Sequence, residues 1–357
     1  MSNSENRRTM ILLALGAMAV VLLTSISVAQ QGQAVPQENT CTIDPDGTAH
    51  VTRVVPVPGT ISPEAQKFIS HAGPSGPEPS LAERRVHTDA FRVARSAEAR
   101  ELYPVNVVEK TIGGVRCDVI TPLAGEKPRR VPINVHGGGF NSDSGSLVEG
   151  VPIAKLAGAT VVSVYYRLAP EHPYPAAVDD TEAVYKELLK TAKPENMGLF
   201  GTSAGAILTA EVAVRLRRDG LPLPAALGIF SGTGDLSQHA DSDMIFTLSG
   251  LPGRISHPVK GPLVREYVGS TDPKDPVLSP VYADLHGFPP TLFITSTRDL
   301  LLSGTTILHR AFLRSGVDAR LVVFEALPHA FWYDYHLPET KEALNIMASF
   351  FDEKARN

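Results

Sequence analysis

Met197-Gly198-Leu199-Phe200-Gly201-Thr202-Ser203-Ala204-Gly205 is the stretch on which the fold turns. Its first four residues form a short buried run of strand type, and residues 204–218 follow with helical spacing. Between them, Gly201 to Gly205 fits G-x-S-x-G, a sharp strand-to-helix turn that presents a serine hydroxyl at a sheet edge. Such a turn strains the serine backbone, and flanking glycines remove side chains that would clash there. The pattern alone fits two readings equally: a nucleophilic Ser203, or a serine capping an ordinary helix. The surrounding chain separates them.

Working outward, strands and helices alternate. Residues 132–135, 160–165, 226–230, 291–295 and 320–324 are short apolar runs of strand type. Helical spacing covers residues 177–191, 303–315 and 338–353. Residues 105–108 and 115–120, on either side of Gly113-Gly114, read as an antiparallel hairpin. A Gly/Pro-rich insertion at 232–288 interrupts the alternation. The pattern predicts an α/β protein with a mostly parallel eight-stranded sheet and helices on both faces. Such sheets place their sites outside the carboxyl ends of the strands.

The chemistry-bearing residues fall at those ends. His136-Gly137-Gly138-Gly139-Phe140 directly follows the strand 132–135. Backbone N–H groups of such a run turn toward a ligand unobstructed, and two of them with the Ala204 amide suit an oxyanion. A nucleophilic serine needs a base, and the base an orienting acid. His329 lies just past the last strand and Asp299 just past the strand 291–295, on the same edge as Ser203. The chain order Ser203, Asp299, His329 is the one expected of a strand-turn-helix nucleophile. His136 reads as a turn residue that orients the glycine loop, and His71, His87 and His239 as solvated. No HExxH or CxxC spacing, Walker loop or dinucleotide fingerprint occurs, so neither metal nor cofactor is expected.

Composition sets the class. With 357 residues, 43% hydrophobic and 20% charged, the chain supports a sizeable core, which excludes disorder. Lys+Arg 33 against Asp+Glu 38, without a basic block, argues against nucleic acid as a partner. Met1 to Gln30 reads as a secretory signal: Arg7 and Arg8, an apolar run from Met10 to Leu23, and Ser27-Val28-Ala29 before the expected cleavage. The protein is thus expected to be exported, periplasmic or secreted, without stable membrane insertion after cleavage. Export places Cys41 and Cys117 in an oxidising compartment, where pairing and free thiols are both open. Residues 30–60 read as a flexible lead-in. Helices follow from Ser62-Pro63-Glu64, with Ala65, Phe68 and Ile69 on one face, and over Leu81 to Leu102. The expected organisation is a signal peptide over 1–29, a lead-in and helical cap over 30–104, and a catalytic domain over 105–357.

Three motifs together resemble the hormone-sensitive-lipase-like carboxylesterases (bacterial esterase family IV). They are His136 to Phe140, Gly201 to Gly205, and Tyr166-Arg167-Leu168-Ala169-Pro170-Glu171-His172-Pro173-Tyr174-Pro175-Ala176-Ala177. The resemblance covers roughly residues 105–350 and implies the α/β-hydrolase fold with an N-terminal helical cap. It implies Ser203, Asp299 and His329 as the triad, with Gly138, Gly139 and Ala204 as the oxyanion hole. Two departures stand out. Many members carry Asp where this chain has Thr202, and Asp299-Leu300-Leu301-Leu302-Ser303 lacks the proline and acidic pair common after the acid. The second departure bears on Asp299, to which Glu325 is the alternative. The implied activity is hydrolysis of a small-molecule ester of short-to-medium acyl chain through an acyl-enzyme. Phe68, Ile69, Phe91 and Leu102 are expected over the pocket. The same residues also suit an amide or lactone, such as an arylamide. A non-catalytic binding protein of the same fold stands last, because all three triad residues are present. Monomer and homodimer remain open.

Overall fold

The computed structural model describes residues 39–70, 79–123, 130–253, 255 and 261–354; the expected signal peptide lies outside them. The chain divides into two compact units, Met1–Pro56 and Val57–Asn357. In the first, β1 (Thr40–Ile43) and β2 (Ala49–Thr52) pair antiparallel, with Cys41 opposite Val51. The segment read as a flexible lead-in thus carries a hairpin that its sequence reading did not include. Asp44-Pro45-Asp46-Gly47 makes the turn, with Gly47 at φ 89 and the Asp44 N–H donating to Thr48 O at 2.8 Å. β-branched residues on both sides favour extended chain. Cys41, exposed on this hairpin, and Cys117, buried in the second unit, are both free thiols. Burial pushes the Cys117 thiol up to about 12, so it stays protonated and unreactive.

The second unit is built on an eight-stranded sheet. Its strands are β3 (Val105–Ile112), β4 (Val115–Pro122), β5 (Val131–Val135), β6 (Val161–Val164), β7 (Met197–Thr202), β8 (Ala226–Phe230), β9 (Thr291–Ser296) and β10 (Ala319–Phe324). Their spatial order is β10-β9-β8-β7-β5-β6-β4-β3. β4 runs antiparallel to both β3 and β6; every other neighbouring pair is parallel. The carboxyl ends of the parallel strands come level: Val135 pairs Gly201, Thr202 pairs Phe230, and Ser296 pairs Phe324. One edge of the sheet therefore carries the glycine loop, the Ser203 turn, and the loops bearing Asp299 and His329.

Helices cover both faces. One core takes in Val184 and Tyr185 of a helix Ala176–Leu188, Leu208 and Val212 of a helix Ala204–Arg218, and Phe312 of a helix Leu302–Arg314. The other takes in Val151 and Ile153 of Ser146–Ala157, Met347 and Phe351 of Pro338–Lys354, and Ala65 and Ala99 of two N-terminal helices. In chain order the helices are α1 (Pro63–Ile69), α2 (Leu81–Leu102), α3 (Ser146–Ala157), α4 (Ala176–Leu188), α5 (Ala204–Arg218), the single turn α6 (Arg265–Val268), α7 (Leu302–Arg314) and α8 (Pro338–Lys354). Ser62 caps α1 through the Ala65 N–H, and Ser80 with Glu83 forms a capping box on α2. Among its described residues, the 232–288 insertion carries α6 and the short turns Asp241–Met244 and Pro280–Tyr282.

α3 is not legible in the sequence, because Gly150 and Pro152 interrupt its pattern. Both are explained by what the helix packs against. A side chain at Gly150 would collide with Ile120 and Ser163 of the sheet. Pro152 supplies no N–H to Val148 O, and the Tyr335 hydroxyl donates to that carbonyl instead, at 2.6 Å.

Candidate active site

The turn at Ser203 is as sharp as its sequence demands. Ser203 has φ 60 and ψ −123, a region costing an ordinary side chain about 1–3 kcal/mol. Its N–H donates to Phe230 O at 2.9 Å, and its carbonyl accepts from Ala206 and Ile207 at 3.0 and 3.1 Å. The backbone thus starts α5, while the hydroxyl makes no capping bond. That disfavours the helix-cap reading. Side chains built at Gly201 or Gly205 would lie inside 3.0 Å of the Val135 carbonyl oxygen. Because the obstacle is backbone of a central strand, Gly205→Ala is expected to abolish soluble, folded protein. Expression yield and circular dichroism check this.

The glycine loop lies directly against the turn. A side chain at Gly137 would come 3.3 Å from Ser203 Cβ. Gly138 and Gly139 take φ 114 and 63, conformations that side chains resist. The Gly138 carbonyl accepts from the Asn141 and Ser142 N–H groups and from the Ser142 hydroxyl, which fixes the curl of the loop. Ala204 holds the first position of α5, where a helix N–H has no intrahelical acceptor.

The stretch 166–177 braces this loop from beneath. The Tyr166 ring stacks on the His136 imidazole with centroids 4.1 Å apart, and its hydroxyl donates to His136 O at 2.6 Å. His136 Nδ1 lies 2.8 Å from Gly137 O, so this buried histidine shapes the loop, as its position after β5 predicts. The Ala169 N–H donates to Phe140 O at 2.9 Å. From α2, Arg85 donates to Asn141 O at 2.7 Å and Ala169 O at 2.9 Å, and forks onto the Glu171 carboxylate. One guanidinium therefore holds an N-terminal helix, the glycine loop and the bracing stretch in register.

Asp299 and His329 meet as the strand order requires. His329 Nδ1 is 2.8 Å from Asp299 Oδ1, with the imidazole almost fully buried. The Leu301 N–H donates to the same carboxylate oxygen at 2.9 Å. The other oxygen accepts from the Ser231 hydroxyl and, at 2.8 Å, from Thr295 Oγ1. Burial alone would push the Asp299 carboxyl up. The adjacent His329 and the hydrogen bonds from His329, Ser231 and Leu301 outweigh it and hold Asp299 below the usual carboxylate value. Glu325, the alternative acid, is exposed and pairs with Thr297. Ser231 and Thr295 escaped the sequence reading, although Ser231 sits at the end of β8 on the same edge. His239 is corrected too: its side chain is buried, with Nδ1 2.9 Å from Asp243 Oδ2.

His329 forms part of the wall of a cavity of about 720 Å³, with Phe68 and Ile69 of α1, Phe91 of α2, Leu248, Phe331 and Leu337. Leu102, expected there as well, is 53% exposed and is not one of its lining residues. It sits on the last turn of α2, three turns and about 16 Å along the helix axis from Phe91.

The comparisons with known proteins agree with one another. Residues 133–333 match the family model described as alpha/beta hydrolase fold. An acetyl-hydrolase of Streptomyces hygroscopicus is 32% identical over 67% of this chain and 80% of its own. An esterase of Acinetobacter venetianus is 29% identical over 67% of this chain and 79% of its own. The crystal structure of an esterase superposes with TM-score 0.74 and 33% identity, covering 85% of this chain and 98% of that one. An esterase of the bacterial hormone-sensitive lipase family superposes with TM-score 0.68 and 29% identity, over 82% and 99%.

Proposed function

The chain belongs to the α/β-hydrolase family, alongside the bacterial hormone-sensitive-lipase-like esterases, and from that premise we propose that it works as a serine carboxylesterase through an acyl-enzyme. It is a carboxylic ester hydrolase. The proposal concerns how it acts and on what. In this reading Ser203 Oγ attacks the ester carbonyl and His329 takes its proton. Asp299 holds the imidazole in the right tautomer and stabilises the cation that forms. The oxyanion is received by the N–H groups of Gly138, Gly139 and Ala204 at the start of α5. His329 then protonates the departing alcohol, and water releases the acid by the same steps in reverse. The observation that carries this is the strained Ser203, whose hydroxyl caps nothing, on the sheet edge that also holds the His329–Asp299 pair.

A largely apolar cavity walled in part by α1, α2 and the His329 loop supports ester chains of short-to-medium length. Relatives named acetyl-hydrolases support the short end of that range. Action outside the cytoplasm, after removal of residues 1–29, is part of the same proposal. Nitrophenyl esters from acetyl to dodecanoyl test it. The expected profile peaks at or below the middle of the series and falls at least about tenfold by dodecanoyl, since forcing methylenes into a filled pocket costs about 1–3 kcal/mol. A profile still rising at dodecanoyl contradicts the proposed pocket, and turnover of anilides faster than the matching esters contradicts the ester preference.

A further inference from the structure

One buried carboxyl touches three of the four segments that carry the proposed chemistry. Glu149 of α3 is almost wholly buried, and nothing in the mechanism above uses it. Its Oε1 accepts from the Tyr333 hydroxyl at 2.5 Å, and its Oε2 from Asn134 Nδ2 at 3.1 Å. The Thr202 hydroxyl also favours its ionised form. Thr202 precedes Ser203 in the chain, Asn134 lies two residues before His136 on β5, and Tyr333 lies four residues after His329. Trp332 closes the ring: its Nε1–H donates to Thr202 Oγ1 at 3.1 Å. That leaves the Thr202 proton free to point at Glu149. Thr202, the departure noted in the sequence, is therefore a junction between nucleophile and base.

We propose that Glu149, as the carboxylate, is a positioning residue that locks the Ser203 turn, the strand leading into the glycine loop and the His329 loop in their reactive arrangement. The inference rests on the serine-esterase reading of the site. Its physical basis is the direction of the hydrogen bonds. Tyr333, Asn134 and Thr202 all offer protons, and a carboxylate accepts all three. A protonated Glu149 brings a fourth proton into a ring of donors.

Burial pushes the Glu149 carboxyl up to about 7, against the pull of the Thr202, Tyr333 and Asn134 hydrogen bonds. Asp143, in the loop before α3, pushes the same way. Tyr166 at the end of β6 and Tyr335 beyond the His329 loop also feel its charge. A carboxyl raised in the folded state stabilises fully below its unfolded value, and that contribution is lost as pH rises through about 7. The fold thus holds this group ionised, in its locking form, only near and above neutrality. His329 must also be unprotonated to act as a base. Acidification therefore costs activity twice.

The test compares Glu149→Gln, Tyr333→Phe and Ser203→Ala with the wild type, reading kcat for nitrophenyl acetate from acid to alkaline pH, with circular dichroism and melting on each. Gln keeps the shape and removes the charge. Glu149→Gln is expected to fold and to lose about 10–100-fold in kcat, the scale of a slight misplacement of reacting groups. Its acid limb in log kcat should be shallower than the wild type's, having lost the proton that belongs to Glu149. Tyr333→Phe removes a hydrogen bond that favours the carboxylate, so its limb should move to higher pH. A folded Glu149→Gln with wild-type kcat and an unchanged limb overturns the inference, as does an unmoved limb in Tyr333→Phe. Ser203→Ala separates the two levels: turnover without Ser203 sinks the serine reading, whereas an inactive Ser203→Ala beside an unaffected Glu149→Gln sinks only the role of Glu149.

Discussion

Replacing Ser203 by Ala should lower kcat by about 10⁴–10⁶ while leaving the protein folded. The two halves of that expectation have separate grounds. The loss follows from removing the only atom proposed to form a bond to the substrate; what survives is binding and oxyanion stabilisation, which keep a residual rate above water. The intact fold follows from the backbone. The Ser203 amide and carbonyl, and not its hydroxyl, tie β7 to β8 and begin α5. Ala tolerates φ 60 about as poorly as Ser does, so the strain is unchanged. The melting temperature should move by no more than the effect of a neutral surface change, about 0.5 kcal/mol. A large drop in stability would mean that the hydroxyl supports the turn; retained turnover would mean that another group is the nucleophile.

Asp299→Asn should cost about 10⁴ in kcat, with KM for small esters little changed. All four contacts of this carboxylate are donors: the His329 ring, the Leu301 N–H, and the hydroxyls of Ser231 and Thr295. An amide has only one accepting oxygen. If that oxygen faces His329, the NH₂ group meets Ser231 and Thr295, and those hydroxyls must rotate away inside a closed site. If the amide turns the other way, its N–H points at Nδ1 and forces the tautomer in which Nε2 carries the proton and does not serve as a base. Because Asp299 stays below the usual carboxylate value, it is ionised throughout the working range. The wild-type acid limb should therefore contain no proton from Asp299. Steady-state kinetics from acid to neutral pH check both statements. Loss of less than tenfold in Asp299→Asn would show that His329 is oriented by something else.

The parts of this molecule that follow local rules were legible in its sequence. α2 runs over Leu81–Leu102 as its helical spacing and charges predict, and the β3–β4 hairpin turns at Gly113-Gly114. Placement of Ser203, Asp299 and His329 on one edge followed from the alternation alone, since a parallel sheet leaves its loops nowhere else to go. What stayed hidden depends on register and packing. Ser231 and Thr295 reach Asp299 because β8 lies beside β9 in one alignment, and no spacing along the chain encodes that. The missing proline and acidic pair made Asp299 look weak, yet its anchors are these two hydroxyls. α3 was invisible for a related reason. Gly150 and Pro152 read as breakers until Ile120, Ser163 and Tyr335 are seen to require or repair them. Glu149 was lost with it. The β1–β2 hairpin was misread because its strands are short and its composition polar, while the turn residues Asp44 to Gly47 carried the signal.

The central claim is that the hydroxyl of Ser203 becomes covalently bonded to the acyl group. Trapping tests it most directly. A dialkyl nitrophenyl phosphate reacts once with an activated serine, releases nitrophenol and leaves a phosphoryl group that does not turn over. The protein should lose esterase activity with one equivalent of nitrophenol released, and peptide mass spectrometry should place the added mass on Ser203 in the peptide that contains Gly201 to Gly205. An adduct on any other residue, or full inhibition with Ser203 unmodified, would contradict the account.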